Sequence, residues 1–139
     1  MRVYARIMSM ICYAARARMI ARRLTGLYDE ALAPLGINVV QYSHLRTVSR
    51  LQPVSLTTLA GALELDRSTV GRNAKQLATM GLLASATGED QRENTLTLSA
   101  EGERVLAQAI PRWQALQDKL DQRMGDRRVD EALSLLQDI

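Results

Sequence analysis

The sequence predicts a mainly α chain carrying one small β-hairpin, and three observations predict it. Apolar residues return every three or four positions along most of the 139 residues, the spacing of one helical face. Only one segment, Thr95-Leu96-Thr97-Leu98, alternates with period two, and it follows a Gly-containing turn at Gly88-Glu89-Asp90-Gln91, the pattern of a hairpin arm packed by one face. Between Ser55 and Met80 two capped helical stretches meet across a tight corner, so the hairpin follows a helix-turn-helix and stands as its wing. The length suits a single domain over 1–139 that buries a core without covalent staples.

Each element has its own signature. Over residues 8–35, Met8, Ile11, Cys12, Ala15, Met19, Leu24, Leu27, Tyr28, Ala31 and Leu32 form a stripe, which predicts one long helix or two collinear ones, ended by Pro34 and Gly36. Cys12 falls on this stripe and is expected to be buried, while Arg16, Arg18, Arg22 and Arg23 give a basic exposed side, which suits proximity to DNA or a partner subunit but for which solubility is the plainer reason. Asn38-Val39-Val40-Gln41 reads as a capping box opening a helix that buries Tyr42, Leu45 and Val48. Pro53 ends that helix. His44, the only histidine, lies on it with no Cys or carboxylate at ligand spacing and reads as a surface or packing residue.

Ser55 caps the next helix, which buries Leu56, Leu59, Ala60 and Leu63. Asp66 caps the one after it by accepting from the N–H of Thr69; Val70, Ala74, Leu77 and Met80 then form a narrow buried stripe, and Gly81 ends the helix in a left-handed conformation. Ser99 caps a helix whose buried line is Val105, Leu106, Ile110, Trp113, Leu116 and Leu120. Pro111 lacks an N–H and crowds the preceding turn, so a kink is expected near Gln108 to Pro111. Met124-Gly125-Asp126 separates this helix from a last short one with Val129, Leu133, Leu136 and Ile139 on one side.

The helix behind Asp66 turns Arg67, Ser68, Arg72, Asn73, Lys75 and Gln76 outward and carries no acid after its cap. Arg pairs bidentately with guanine, Asn and Gln with adenine, and small hydroxyls with either, so this face has the chemistry of a major-groove reader; a solvated amphipathic helix is the plain alternative. Arg72 and Asn73 are the candidate base readers. Ser68 and Thr69, at the helix N-terminus, suit base edges or phosphate, and Thr57, Lys75 and Gln76 suit phosphate positioning. Lys and Arg number 18 against 15 Asp and Glu, a formal +3 with pI near 9.4, which permits nucleic acid without diagnosing it. All the bases but Lys75 and Lys119 are Arg, the better bidentate donor, although a GC-rich genome explains that equally well.

Other classes find no support. A single cysteine forms no internal disulfide, and no Cys-x-x-Cys or His cluster offers a metal site. There is no Gly-rich phosphate loop, no Gly-x-Ser-x-Gly and no paired carboxylates, so neither an enzyme nor a cofactor is expected. Apolar runs fall far short of the ~20 residues that cross a bilayer, and Arg16 and Arg18 interrupt the N-terminal one, so the expectation is a cytoplasmic protein with no membrane partner.

From about Ala14 to Leu136 the chain resembles the MarR family of bacterial winged-helix transcription regulators. The resemblance is carried by Tyr28-Asp29-Glu30-Ala31-Leu32-Ala33-Pro34-Leu35-Gly36-Ile37, Gln41-Tyr42, Leu59-Ala60, Leu65-Asp66-Arg67-Ser68-Thr69-Val70-Gly71-Arg72, Leu77, Gly81-Leu82-Leu83, Asp90-Gln91-Arg92, Leu96-Thr97-Leu98-Ser99 and Gly102. It implies a homodimeric repressor on a pseudo-palindromic double-stranded DNA operator, modulated by a small-molecule effector in a pocket between the dimer helices and the DNA-binding lobe. It assigns 38–98 to that lobe and 1–35 and 100–139 to dimerisation helices, with Trp113, Leu116, Leu120, Leu133 and Leu136 at the dimer interface.

The family's Asp-x-Arg spacing selects Arg92 of the wing for the minor groove, its guanidinium held by Asp90 through a charge-assisted pair. One departure stands out: Leu83 is followed by Ala84-Ser85-Ala86, where relatives often carry a base, so this wing is less basic. Cys12 invites comparison with the family's organic-peroxide sensors, and thiol-based peroxide sensing is one alternative. Aligned through Tyr28 and Gln41-Tyr42, however, the sensor cysteine falls on Ala14 and one of its two tyrosines on Arg18. The other alternative is a dimeric protein-interaction module without DNA binding, against which Arg67, Arg72, Lys75 and Arg92 argue.

Overall fold

In the computed structural model, which describes residues 2, 3, 6, 10–87 and 94–139 (for Ala86 and Thr87 the backbone alone), the first full helix, α1, spans Tyr13–Leu32. Its N-cap is Cys12, whose extended backbone (φ −61°, ψ 158°) cannot continue a helix and whose Sγ accepts from the Ala15 N–H at 3.5 Å. The expected helix over residues 8–35 is therefore interrupted at Cys12, and the thiol is exposed instead of buried on the stripe. A 3-10 turn, Ala33–Leu35, takes Pro34 at its start, where a missing N–H costs nothing, and Gly36 turns the chain at φ 75°.

Helix α2, Val39–Leu51, opens with the reciprocal capping box: Asn38 Oδ1 accepts from the Gln41 N–H and Gln41 Oε1 from the Asn38 N–H, both at 2.9 Å. Asp29 Oδ1 accepts from the Val39 N–H at 2.8 Å, which sets an α1 carboxylate at the positive end of α2 and ties the two helices. Strand β1 (Val54–Ser55), α3 (Leu56–Leu63), α4 (Arg67–Thr79), β2 (Leu83–Thr87) and β3 (Asn94–Leu98) follow. The sheet is antiparallel in the order β1-β3-β2, with Val54 opposite Leu96 and Leu83 opposite Leu98. The hairpin is as expected and β1 is an addition: a two-residue strand displays no period from which to read it. The turn expected at Gly88-Glu89-Asp90-Gln91 lies outside the described residues.

The core sits where the helix-turn-helix meets α2 and the sheet. Leu45 and Val48 of α2, Leu59 of α3, and Val70 and Leu77 of α4 are fully buried, joined by Leu96 and Leu98 of β3 and by Val105, Leu106 and Ala109 of the long helix after the sheet. Each such Leu or Val contributes about 1.5–3 kcal/mol of transfer free energy. Met80, expected on the α4 stripe, is 38% exposed: α4 ends at Thr79 and Met80 is its C-cap, with no further helical turn beside it because Gly81 turns the chain at φ 80°. Helix α5, Ala100–Met124, is capped by Ser99 Oγ accepting from the Gly102 N–H at 2.9 Å and continues as one helix through Pro111. Tyr28 donates its hydroxyl proton to Gln117 Oε1, joining α1 to α5. The last helix, α6, spans Arg128–Ser134. Among the described residues no helix is long and apolar enough to cross a membrane.

Candidate nucleic-acid interface

Burying Val70, Ala74 and Leu77 leaves the opposite side of α4 in water. The corner that aims α4 is made by Glu64, which takes the left-handed conformation (φ 54°, ψ 40°) and closes α3 by donating its N–H to the carbonyls of Ala60 and Gly61. Asp66 then opens α4. Its Oδ1 accepts from the Ser68 hydroxyl at 2.6 Å and the Thr69 N–H at 2.8 Å, while Oδ2 accepts from the Thr69 hydroxyl at 2.7 Å. The Ser68 and Thr69 bonds, with the nearby Arg72 charge, hold the Asp66 carboxyl well below the usual carboxylate range. Arg72 Nη2 in turn reaches Thr69 Oγ1 at 3.4 Å.

Arg67, Ser68, Thr69, Arg72, Asn73, Lys75 and Gln76 are thus brought onto one helix. Arg67, Ser68, Arg72, Lys75 and Gln76 are exposed, whereas Thr69 and Asn73 are half-buried. Ser68, Arg72 and Lys75 stand one turn apart along a line, with Thr69, Asn73 and Gln76 beside it. Thr57 is exposed in the first turn of α3. Asp90 and Arg92, the wing candidates, lie outside the described residues. The residue that sequence reasoning undervalued is Asp66: read as a backbone cap only, it also takes both neighbouring hydroxyl protons. An Asp followed at the second and third positions by Ser and Thr was the available signal.

A second feature lies where the lobe meets α5. Tyr42 of α2 stacks on Trp113 at 5.7 Å between ring centroids with the planes 19° apart. Beside the stack opens a cleft of about 320 Å³ lined by Tyr42, Ser43, Arg46, Thr47, Arg50, Leu63 and Trp113. Burial pushes the Tyr42 hydroxyl pKa up, and Arg46 and Arg50 pull against it. Arg46 and Arg50 were not singled out in the sequence; one helical turn apart beside Tyr42, they were visible there as a basic, aromatic edge.

The five residues expected at a dimer interface divide into two groups. Leu133 and Leu136 are 60% and 65% exposed, while Trp113, Leu116 and Leu120 are half-buried within the chain. Cys12 is exposed at the start of α1, where the Arg16 guanidinium lies 4.5 Å from the centre of the Tyr13 ring. His44 is fully buried, its Nδ1 2.7 Å from the Val40 carbonyl. Among the described residues no three His, Cys, Asp or Glu side chains gather as a metal site.

Comparison with known proteins bears on this geometry. The profile of the MarR family matches residues 37–93, the stretch from the start of α2 to the hairpin. The M. tuberculosis transcriptional regulator MosR, solved in complex with DNA, is 30% identical over 91% of this chain and 93% of its own, with a TM-score of 0.79. A Bacillus subtilis protein, the uncharacterized HTH-type transcriptional regulator YwoH, is 31% identical over 88 residues, which is 63% of this chain and 61% of that protein's length. A mutant E. coli MarR complexed with operator DNA shares the fold, with a TM-score of 0.78, 92% and 93% of the two chains covered and 21% identity.

Proposed function

The chain belongs to the MarR family of transcriptional regulators, and from that premise we propose that it is a cytoplasmic homodimeric repressor that grips a pseudo-palindromic operator with α4 of each protomer. The observation that carries this reading is the outer face of α4, polar and acid-free beyond its cap and offering Arg72 and Asn73 to base edges. Thr57, Lys75 and Gln76 hold phosphates, and Ser68 and Thr69 stand at the positive end of the helix. Arg92, held by Asp90, enters the minor groove. Two such helices fit half-sites about 10 bp apart or a multiple of it.

The test is an anisotropy titration against the DNA flanking the protein's own coding region and against random duplex, at two salt concentrations. The expected result is steep salt dependence and a preference of roughly 10³ or more for the flanking DNA. Weak binding without preference would favour an interaction module on the same scaffold.

Effector control is placed in the cleft beside Tyr42 and Trp113. A cleft lined by the Arg46 and Arg50 guanidiniums and the Ser43 and Thr47 hydroxyls beside a stacked aromatic pair suits a planar aromatic anion. Thermal stabilisation by such anions, coupled to release of DNA and lost in Arg46→Ala, is the expected outcome.

The exposure of Cys12 favours a second reading, in which a hydroperoxide oxidises the thiol to a sulfenic acid and departs as the alcohol. A hydroperoxide titration that leaves DNA affinity unchanged ends it.

A further inference from the structure

We infer that Asp66 and Thr69 are positioning residues for the guanidinium of Arg72, a step that rests on the proposed DNA reading. A carboxylate only accepts, so the Thr69 hydroxyl, 2.7 Å from Asp66 Oδ2, must point its single proton at Asp66. Its lone pairs are then turned away from Asp66, and one of them meets Arg72 Nη2 at 3.4 Å. Asp66 thereby fixes the polarity of a hydroxyl that in turn orients an exposed arginine, within the three-residue spacing that brings helix side chains together.

The Ser68 proton is spent on the same carboxylate, at 2.6 Å, so neither hydroxyl is free to donate to a phosphate while Asp66 is ionised. Freezing a long side chain on binding costs the equivalent of about two- to tenfold in affinity. An arginine already leaning on Thr69 incurs less of that cost when it docks on the correct base, and gains nothing on random sequence. Asp66 also opposes phosphate through its charge on every sequence alike. The relay therefore acts on discrimination and not on overall grip.

The test uses the full chain, an operator duplex selected from a randomised library and a scrambled duplex, with the ratio of the two affinities as readout and thermal melting as control. Thr69→Val, which keeps the branched shape and removes the hydroxyl, is expected to lower the ratio about three- to tenfold, and Thr69→Ser to restore it. Asp66→Asn keeps the cap, but its amide N–H₂ faces Thr69 Oγ1 and reverses the hydroxyl toward Arg72. The ratio should fall while scrambled DNA binds more tightly. In an Arg72→Ala background Thr69→Val should add less than about twofold, as expected when both act through one side chain.

An unchanged ratio in Thr69→Val, beside a lowered one in Arg72→Ala, overturns the positioning role and leaves the base reading intact. An unchanged ratio in Arg72→Ala overturns the base reading itself. If Thr69→Val melts before assay, Asp66→Asn is read by the same criteria.

Discussion

His44 has no exposed surface, and the Val40 carbonyl 2.7 Å from its Nδ1 can only accept, so Nδ1 carries the proton and Nε2 is buried with no hydrogen-bond partner among the described residues. Burial pushes the imidazole pKa below its ordinary 6.5, and the Val40 hydrogen bond works against that shift. Above about pH 6.5 the histidine is neutral in both states and contributes no pH dependence. Below it the unfolded chain takes up a proton that the folded chain refuses, so stability falls as pH drops toward the lowered folded value, by at most about 1.4 kcal/mol per pH unit. Urea melts between pH 6.5 and 5.5 should show this loss in the wild type and a shallower one in His44→Gln; parallel slopes would assign the acid sensitivity elsewhere.

On the outer face of α4 the contrast is between Arg72 and Lys75. Arg72→Ala should cost about 1–3 kcal/mol of discrimination at one base pair, whereas Lys75→Ala should weaken all sequences alike and reduce the salt slope by roughly one. Equal losses on operator and random duplex from Arg72→Ala would remove it from readout. At this scale the sequence was most legible where a side chain bonds its own backbone: the caps at Asn38, Ser55, Asp66 and Ser99 all form as expected. It was least legible where burial depends on where a helix stops. Cys12 and Met80 sit at the right spacing for their stripes, but each caps a helix end, where no further helical turn flanks the side chain.

At the scale of elements, α5 is docked through Gly102 on Leu82, the residue just before β2. A Cβ built there would lie 2.0 Å from the Leu82 carbonyl oxygen and 3.0 Å from its carbon, and backbone cannot yield as a flexible side chain does. The same carbonyl accepts from the Ser99 N–H at 3.1 Å, so pushing it away also breaks the turn that starts α5. Gly102→Ala should therefore destabilise by about 1–3 kcal/mol or more, through overpacking, despite alanine's better helix propensity. Gly61, in α3, has open space at the same point, and Gly61→Ala should stabilise by about 0.5–1 kcal/mol. Chemical denaturation of the two variants checks both signs, and a stable Gly102→Ala protein would mean that α5 can slide on the sheet. The helix-turn-helix and the hairpin were readable because each declares its own period and punctuation. Strand β1 was not, since Val54 and Ser55 become a strand only by pairing with Leu96 and Thr95. Nor was the tie of Asp29 to α2, which joins positions ten apart through the turn at Gly36.

For the whole molecule the open question in the sequence was what covers the apolar ends of the chain. Trp113 finds a partner in Tyr42, and Leu116 and Leu120 are half-buried against their own protomer. Leu133, Leu136 and Ile139 do not: they are 60%, 65% and 102% exposed, and on α1 Ile20 and Leu27 are 52% and 43% exposed. Exposed large apolar groups on and just after α6 and on α1 suit an association surface, so the proposed dimer includes these segments beside the half-buried Trp113, Leu116 and Leu120 of α5. Leu133→Asp combined with Leu136→Asp should sediment as a monomer while keeping its helical signal. The consequence for DNA is quantitative. Each neutralised phosphate contributes about 0.9 to the slope of log affinity against log salt, and each protomer brings its own set of contacts, so the monomer's slope should fall to about half. A variant that remains dimeric moves the interface away from α6. A monomer that keeps the full slope means that one α4 and one wing make every phosphate contact, which would remove the argument for a two-fold operator.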